Sequence, residues 1–232
     1  VFHHGHDFII MSYLNGNKTS IIDKKLIIQS INFIKKINQK KIIKDLKKNN
    51  IGWASDSCKN LNDTFLTVNK RIKLLKNGIY NNIYKKKIKD YLNEKIIITW
   101  KEIEKDLLKY KKETKILFKK KNIIFSPSDF GLHNMKINKN KFSFFDFEYS
   151  GFDNIFKLVA DFISHPDHSI SKKNEVLFTK SIFRKLINRK LSEKEFFLFN
   201  KIVKLHKIKW CLVILNGFLR NKKKIREFAG YK

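Results

Sequence analysis

Apolar residues recur at three- and four-residue steps through most of the chain, and this periodicity predicts a mainly helical protein. The first periodic segment runs from Thr19 to about Lys48. One face of this segment carries a row of branched apolar side chains: Ile21, Ile22, Leu26, Ile27, Ile31 and Ile34. The turn-forming stretch 49–52 follows, so we expect the helix to end there.

The same periodicity predicts further helices at 62–78, about 80–93, about 97–112, 155–162, 172–188 and 192–219. Their inner faces are expected to hold Phe65, Val68, Ile72 and Leu75; Trp100, Ile103, Leu107 and Leu108; and Phe196, Phe199, Ile202, Val203 and Trp210. Asp153 is the expected N-cap of the helix at 155, and Ser192 with Glu195 forms a capping box. The basic tail from Asn221 shows no regular pattern.

Strand signals are fewer and shorter. Phe8 to Tyr13 is typical of a buried strand, and Asn122 to Phe125 of a second, short one. Met135–Ile137 and Phe142–Phe145 predict a β-hairpin around a turn at 138–140. The predicted fold class is therefore α+β, with helices dominant.

Polar residues that could take part in metal binding or catalysis flank this hairpin. Asp129 and Asn134 precede it, and Asp146 and Glu148 follow it. Folding the hairpin would return Asp146 to the neighbourhood of Asn134, so that two oxygen ligands could face one Mg²⁺ ion. Asp129 could accept a hydrogen bond from a substrate hydroxyl. Glu148 could assist metal or substrate binding, or could form a structural salt bridge.

The stretch from Phe125 to Glu148 resembles the aminoglycoside phosphotransferase and choline kinase-like family, whose signature is H-x-D-x-x-x-x-N, a hairpin, and then D-x-E or D-x-D. Pro127 stands where the family has His. The amino-acid sequence of this stretch is similar to that of a bacterial subgroup associated with surface-polysaccharide genes. Two further segments add to the resemblance, namely 53–58 and 209–216. The resemblance is most specific between Phe125 and Pro166.

The resemblance implies a protein kinase-like fold, consisting of a mainly helical large lobe with the catalytic hairpin at 17–232. Residues 1–16 would be the end of a small lobe and the hinge strand. Most of the small lobe would be absent, because no Gly-rich phosphate loop or strand lysine precedes the hinge. We therefore expect a fragment of a longer protein. A natural single-lobe protein, which would be non-catalytic, is the alternative.

The activity implied is ATP-dependent transfer of the γ-phosphoryl group to a hydroxyl of a small molecule, such as a sugar or surface-polysaccharide precursor. The resemblance implies that Asp129 is catalytic and that Asn134 and Asp146 bind Mg²⁺. Backbone groups of the hinge would receive the adenine of ATP at Met11, Ser12 and Tyr13. Asp161 would brace the catalytic loop through the loop's backbone. A non-catalytic kinase-like scaffold is the alternative within this family.

Charge adds a second alternative. The chain has 51 basic and 21 acidic residues, for a net charge of +30, and such a balance is typical of proteins that bind polyanions. Lys, Ile and Asn are all abundant and share A/T-rich codons, so a compositional cause is also open. No nucleic-acid-binding motif is present, and we expect no nucleic-acid partner. Peripheral attraction to anionic surfaces stays open.

Other candidate sites have simpler explanations. Two groups contain histidine and aspartate, but neither has a diagnostic metal spacing. The first group is predicted to be a loop and consists of His3, His4, His6 and Asp7. The second group is predicted to be a turn that ends a helix and consists of His165, Asp167 and His168. Ser55, Asp56 and Ser57 could line a substrate pocket or serve as turn and cap residues. Two cysteines without metal spacing, no signal peptide and no long apolar run predict a cytoplasmic protein.

Overall fold

The computed structural model describes residues 3–4, 9–10, 12–19, 21–79, 83–139 and 141–219. Met11, one of the three hinge residues implied by the resemblance, lies outside these ranges, as do His6, Asp7 and the tail from Asn221. The described part is an α+β structure in which helices dominate, as the periodicity predicted. None of its helices is long and apolar enough to cross a lipid bilayer.

Nine α-helices are present in the described residues. They are α1 (Lys24–Ile37), α2 (Lys40–Lys48), α3 (Leu61–Gly78), α4 (Lys85–Tyr91), α5 (Ile98–Lys109), α6 (Lys111–Thr114), α7 (Ile155–Ser164), α8 (Lys172–Leu186) and α9 (Glu193–Leu215). A π-helical segment, Leu92–Ile97, joins α4 to α5. The two helices predicted at about 80–93 and 97–112 are thus one continuous helical run from Lys85 to Lys109.

The strands form three small two-stranded antiparallel sheets in the described residues. They pair β1 (His3–His4) with β2 (Ile9–Ile10), β3 (Ile123–Ser126) with β6 (Gly151–Asn154), and β4 (Met135–Asn138) with β5 (Lys141–Phe144). The predicted hairpin is confirmed as β4–β5. The strand predicted at Phe8–Tyr13 is present as β2, but the expectation that it is buried was wrong, because Ile10 is half exposed; Phe8, like Met11, lies outside the described residues. His3 and His4 form a strand rather than the predicted loop.

The core is built around α7, whose residues 155–163 are all buried. This helix packs between α8 and α9, and aromatic rings fill the interfaces. Phe156 lies against Phe183 and Phe199, and Phe162 stacks on Phe178 with 4.1 Å between ring centroids. Because α7 follows β6 directly, the same core fixes the position of the loop and hairpin that precede it.

Asn38 interrupts the first predicted helix. Its side-chain Nδ2 donates to the carbonyl of Phe125 and its Oδ1 accepts from the N–H of Phe125, each at 2.8 Å. The single helix predicted for 19–48 is therefore split into α1 and α2. The amide of Asn38 completes the hydrogen bonding of β3 in the way a neighbouring strand would, and so holds the strand that leads into the 126–134 loop.

Several local predictions need correction. The N-cap of α7 is Asn154, whose side chain accepts from the Phe156 N–H, rather than Asp153. The buried Asp153 carboxylate instead accepts from the Cys58 N–H at 3.0 Å and pairs with Lys157. Three side chains predicted to face inward are exposed: Ile21, Leu108 and Phe196. The capping box of Ser192 and Glu195 is confirmed, as is burial of the α3 row from Phe65 to Leu75.

Residues 12–19 lie against the hairpin. Asn17 and Ile137 exchange both backbone hydrogen bonds at 2.9 Å. Gly16 precedes this bridge with φ +141°, and a Cβ there would stand 2.7 Å from the Ile137 carbonyl oxygen. Only glycine accommodates both conditions. The segment with Ser12 and Tyr13 is thereby placed beside β4.

Candidate active site

The loop between β3 and β4 is closed by its own side chains. The Ser126 Oγ accepts from the Ser128 N–H at 3.0 Å, and the Ser128 Oγ donates to the Ser55 carbonyl at 3.2 Å. Nδ2 of the buried Asn134 donates to the Asp129 carbonyl at 3.1 Å. Because Nδ2 is used in this way, Oδ1 is the atom of the Asn134 amide left to face a ligand.

Asp146 comes back to this loop as the hairpin requires. The Phe145 N–H donates to the Asn134 carbonyl at 3.1 Å, so Asp146 follows a residue bonded to Asn134. Asp146 is exposed and has φ +63°, in the left-handed region that Asp tolerates better than most residues. Backbone conformations of this kind concentrate at functional sites.

A cavity of about 440 Å³ adjoins Asp146. It is lined by Ser12, Tyr13, Leu14, Lys136, Phe145 and Asp146. Two of the three residues implied as the hinge therefore share a cavity with a predicted metal ligand. Lys136 spans the cavity wall, since its Nζ donates to the Leu14 carbonyl at 2.8 Å and lies 4.5 Å from the centroid of the Tyr13 ring.

The donor atoms near this cavity suit a magnesium ion. Asn134 offers an amide oxygen and Asp146 a carboxylate, and Mg²⁺ prefers such hard oxygen ligands. The carboxylate of Asp146 forms no ion pair with another residue in the described part of the chain. Glu148 interacts with the Tyr149 hydroxyl and raises its pKa.

Asp129 lies between two imidazoles. Its Oδ2 is 3.2 Å from Nε2 of His133, and its Oδ1 is 4.0 Å from Nε2 of His165. The hydrogen bond from His133 holds the pKa of Asp129 below its usual range, against the opposing effect of burial, and the same contact raises the pKa of His133. Oδ1 of Asp129 is buried and finds no hydrogen-bond partner among the described residues.

A second cavity, of about 550 Å³, contains Asp129. Ser55 and Asp56 line it, together with Arg71, Tyr149 and Trp210. Asp56 is held by Arg71 at 2.5 Å. The expectation that Ser55 and Asp56 could line a pocket is therefore consistent with where the structure places them, whereas Ser57 is not part of this lining.

Asp161 sits in a buried ionic cluster. Its carboxylate accepts from His206 at 2.7 Å, from Lys209, and pairs with Lys157 at 3.2 Å. Burial alone would raise the pKa of Asp161, but Lys209, His206 and Lys157 hold it well below its usual range. These side-chain partners differ from the loop-backbone bracing that the resemblance implied.

His168 makes the contact expected of Asp161. Its Nε2 accepts from the Leu132 N–H in the loop at 3.1 Å, and its Nδ1 lies 2.6 Å from the Phe162 carbonyl. Burial lowers the pKa of His168 to about 3. Sequence reasoning placed His165 and His168 in a turn and missed both this bracing contact and the pairing of His133 and His165 around Asp129. The spacing of His133, four residues after Asp129, was the available signal.

Comparisons with known proteins give little. No protein-family model matches the chain, and no curated protein matches it. Among solved structures, the choline kinase from Cryptosporidium parvum Iowa II is similar to 94% of this chain and 71% of its own, at 14% sequence identity and a TM-score of 0.46. A similarity of this degree does not establish a shared fold.

Proposed function

We propose that the protein is a phosphotransferase that moves the γ-phosphoryl group of ATP to a hydroxyl of a small molecule. The observation that carries this proposal is the hydrogen-bonded link from the Asp129 carbonyl through Asn134 to Phe145. It brings three separated residues of the motif, Asp129, Asn134 and Asp146, to one loop and the hairpin base. In the same proposal, residues 1–16 end a small lobe and 17–232 form a kinase-like large lobe.

The cavity beside Asp146 is the proposed nucleotide side. Backbone groups at Ser12 and Tyr13 would receive the adenine, and Asn134 and Asp146 would hold Mg²⁺ on the phosphates. The bound ion would neutralise charge on the transferred group. The contact between Asn17 and Ile137 supports this arrangement, because it fixes the 12–17 segment to the strand that begins one residue after Asn134.

The cavity beside Asp129 is the proposed acceptor side. The buried Oδ1 of Asp129 has no hydrogen-bond partner within the described part of the chain and could accept a hydrogen bond from an acceptor hydroxyl. A low pKa keeps this carboxylate ionised at neutral pH. Orienting the hydroxyl and receiving its proton are the tasks that such a residue performs in phosphoryl transfer.

Polar side chains on one part of this cavity's wall bear on the class of acceptor. Ser55, Asp56, Arg71 and Tyr149 surround Asp129 with hydrogen-bond donors and acceptors. A polyhydroxylated molecule satisfies such groups better than an apolar alcohol does, because buried polar groups without partners are costly. We therefore favour a sugar or a surface-polysaccharide precursor.

An acceptor screen on the natural gene product tests the proposal. Mg-ATP is supplied with sugars, aminoglycosides, choline-like alcohols and glycan precursors, and phosphorus NMR follows the products. The expected result is an acceptor-dependent phosphate monoester with equimolar ADP. Salt-sensitive binding of polyanions without any Mg-ATP dependence would instead support the polyanion-binding alternative, and retention of the fold without nucleotide binding would support the scaffold.

A further inference from the structure

We propose that Asp129, His133 and His165 form a binding site for a divalent transition metal ion of the zinc class. One ligand atom from each of these side chains lies within 4.8 Å of the other two. Phosphoryl transfer as proposed above uses the Asp129 carboxylate and the hydrogen bond that His133 gives it, but it assigns no role to His165 beside them. Metal binding accounts for all three side chains.

The spacing of the three ligand atoms fits a small tetrahedral ion. Nε2 of His133 is 3.2 Å from one Asp129 oxygen, and Nε2 of His165 is 4.0 Å from the other. Zinc bonds of about 2.0–2.1 Å place neighbouring ligand atoms roughly 3.4 Å apart in a tetrahedron. The three ligand atoms lie within 4.8 Å of one another, so side-chain movements of about 1 Å would draw them to zinc-binding distances, and a water or substrate oxygen would supply the fourth ligand.

The unpartnered oxygen of Asp129 is a second, independent observation. Oδ1 is buried without a hydrogen-bond partner among the described residues, and it is the oxygen that faces His165. A buried acceptor without a partner loses its hydration and gains nothing in return. A metal ion between Asp129 and the imidazoles would meet this need.

Gly131 makes room for the two imidazoles. A Cβ at this position would lie 2.4 Å from Cε1 and 2.5 Å from Nδ1 of His133, and 2.7 Å from Nε2 of His165. No side chain larger than hydrogen is compatible with the present positions of both rings. The glycine thus permits the convergence of His133 and His165, whose rings stack with 5.3 Å between centroids.

Asp167 supplies the outer support that metal-bound histidines commonly have. Its Oδ2 is 3.4 Å from Nδ1 of His133 and 3.9 Å from Nδ1 of His165. A carboxylate at this position accepts the Nδ1 proton and leaves Nε2 free to bind metal. The Asp167 N–H now donates to Nδ1 of His165 at 3.2 Å, so metal binding would exchange this contact for one with the carboxylate.

Cationic side chains in the same cavity do not oppose a metal ion. Arg71, Lys157 and Lys209 all line the cavity, but each is paired with a carboxylate. Arg71 pairs with Asp56, Lys157 pairs with Asp153 as well as Asp161, and Lys209 pairs with Asp161. The positive charge near the proposed site is therefore already compensated, while the ion-pair partners of the Asp129 carboxylate in the described residues are imidazoles.

The donor set selects the metal. Two imidazole nitrogens and one carboxylate suit zinc, cobalt, nickel or copper, whereas magnesium prefers oxygen ligands alone. The proposed magnesium ligands Asn134 and Asp146, which offer oxygen atoms alone, are the contrasting case. A zinc ion on Asp129 would also occupy the carboxylate that is proposed to orient the acceptor. Zinc would therefore inhibit phosphoryl transfer. This expected inhibition rests on the proposed function, whereas the proposal that the site binds metal does not.

Cobalt(II) titration followed by visible absorption tests the site. The full chain is used with His3, His4 and His6 replaced by Ala, because these residues could bind cobalt by themselves. We expect one ion per chain, with the absorption of a tetrahedral complex, and displacement by zinc but not by magnesium. His133→Ala should weaken binding at least tenfold, and Asp167→Asn by about tenfold or more.

Asp45→Asn, on exposed α2, is the matched control and should bind as the parent does. His133 is partly exposed, so its loss should preserve the fold, and circular dichroism checks this. Gly131→Ala offers a second test, because it displaces both rings and should weaken binding without removing a ligand. Equal cobalt affinity in the parent, His133→Ala and Asp167→Asn would overturn the proposal. Tight binding in a protein that shows no phosphotransfer would leave the metal site standing and would remove the proposed function instead.

Discussion

Nδ2 of Asn134 donates a hydrogen bond to the backbone carbonyl of Asp129, with 3.1 Å between the two atoms. This bond closes the loop over five residues and directs the amide oxygen of Asn134 away from Asp129. The Phe145 N–H then binds the Asn134 carbonyl, which joins the loop to the base of the hairpin. Asp129 and Asp146 are thereby fixed relative to one another while lining separate cavities.

Asp129→Asn should abolish most turnover while sparing nucleotide binding. The substitution keeps the size of the side chain but removes the charge that would receive the hydroxyl proton, and general-base catalysis contributes about 10²- to 10⁴-fold. The measurement is the rate of acceptor phosphorylation beside the affinity for Mg-ATP. Full turnover in Asp129→Asn would show that the assigned mechanism is wrong.

Asn38→Ala should destabilise the protein by about 2–3 kcal/mol, because both backbone groups of Phe125 lose a partner at once. Urea unfolding followed by circular dichroism measures the free energy of unfolding. Asn49→Ala is the control, since the exposed Asn49 side chain makes one local hydrogen bond in the described structure, to the Asp45 carbonyl, and its loss should cost less than about 1 kcal/mol. Equal effects of the two changes would mean that the Asn38 contacts do not hold β3.

Asp161→Asn should destabilise the protein strongly, by about 3–5 kcal/mol, because breaking a buried ion pair leaves uncompensated charge. Lys157, Lys209 and His206 all depend on this carboxylate. Asp106→Asn, which breaks the pair of Asp106 with Lys201 on the surface, is the control and should cost about 1 kcal/mol or less. Thermal unfolding of the two variants beside the parent protein makes the comparison. A change at Asp161 no larger than the change at Asp106 would contradict the structural role of the cluster.

Stability should fall as the pH is lowered from 7 to 4. Burial lowers the pKa of His168 from 6.5 to about 3, so the unfolded chain takes up a proton before the folded one does. The contribution of His168 to stability is therefore complete above about pH 6.5 and is lost as the pH falls toward 3. The loss in the free energy of unfolding amounts to roughly 3 kcal/mol by pH 4. Burial lowers the pKa of His165 and His206 in the same direction.

Free energies of unfolding across this pH range test the histidine contribution. His168→Gln should be less stable than the parent at pH 7, because the contacts to Leu132 and Phe162 change. Its stability should also depend less steeply on pH. A variant with the same slope as the parent would show that His168 does not titrate as its burial implies.

The hairpin, the loop that precedes it and most helices could be predicted from the sequence because their signals are local. Alternation over 135–145 and the N-cap signal of Ser192 need no tertiary information. The exposure of Ile21 could not be predicted in the same way, because α1 begins only at Lys24, after its N-cap Asp23, and Ile21 therefore lies outside the helix whose apolar face is buried. The helix break at Asn38 depends on a strand 87 residues away and leaves no local trace.

In the candidate site, too, the contacts between residues near in sequence could be predicted, whereas those made by tertiary packing could not. Asn134 and Asp146 flank the predicted hairpin, so the pattern predicted that the two residues lie near each other, and the hydrogen bond from the Phe145 N–H to the Asn134 carbonyl places Asp146 next to a residue bonded to Asn134. His165 reaches Asp129 only because α7 leads the chain back past the loop, and His168 takes the loop-bracing contact for the same reason. Contacts made by tertiary packing of distant segments have no periodicity from which to infer them.

Calorimetric titration of ATP into the protein, with and without Mg²⁺, tests the central claim most directly. We predict Mg²⁺-dependent binding to the parent protein, its loss in Asp146→Asn, and unchanged binding in Asp90→Asn, an equal charge change on exposed α4. This result would place the metal–nucleotide complex at Asp146. Binding that is independent of Mg²⁺, or that survives in Asp146→Asn, would contradict the assignment of Asp146 as a metal ligand and with it the proposed phosphotransferase site.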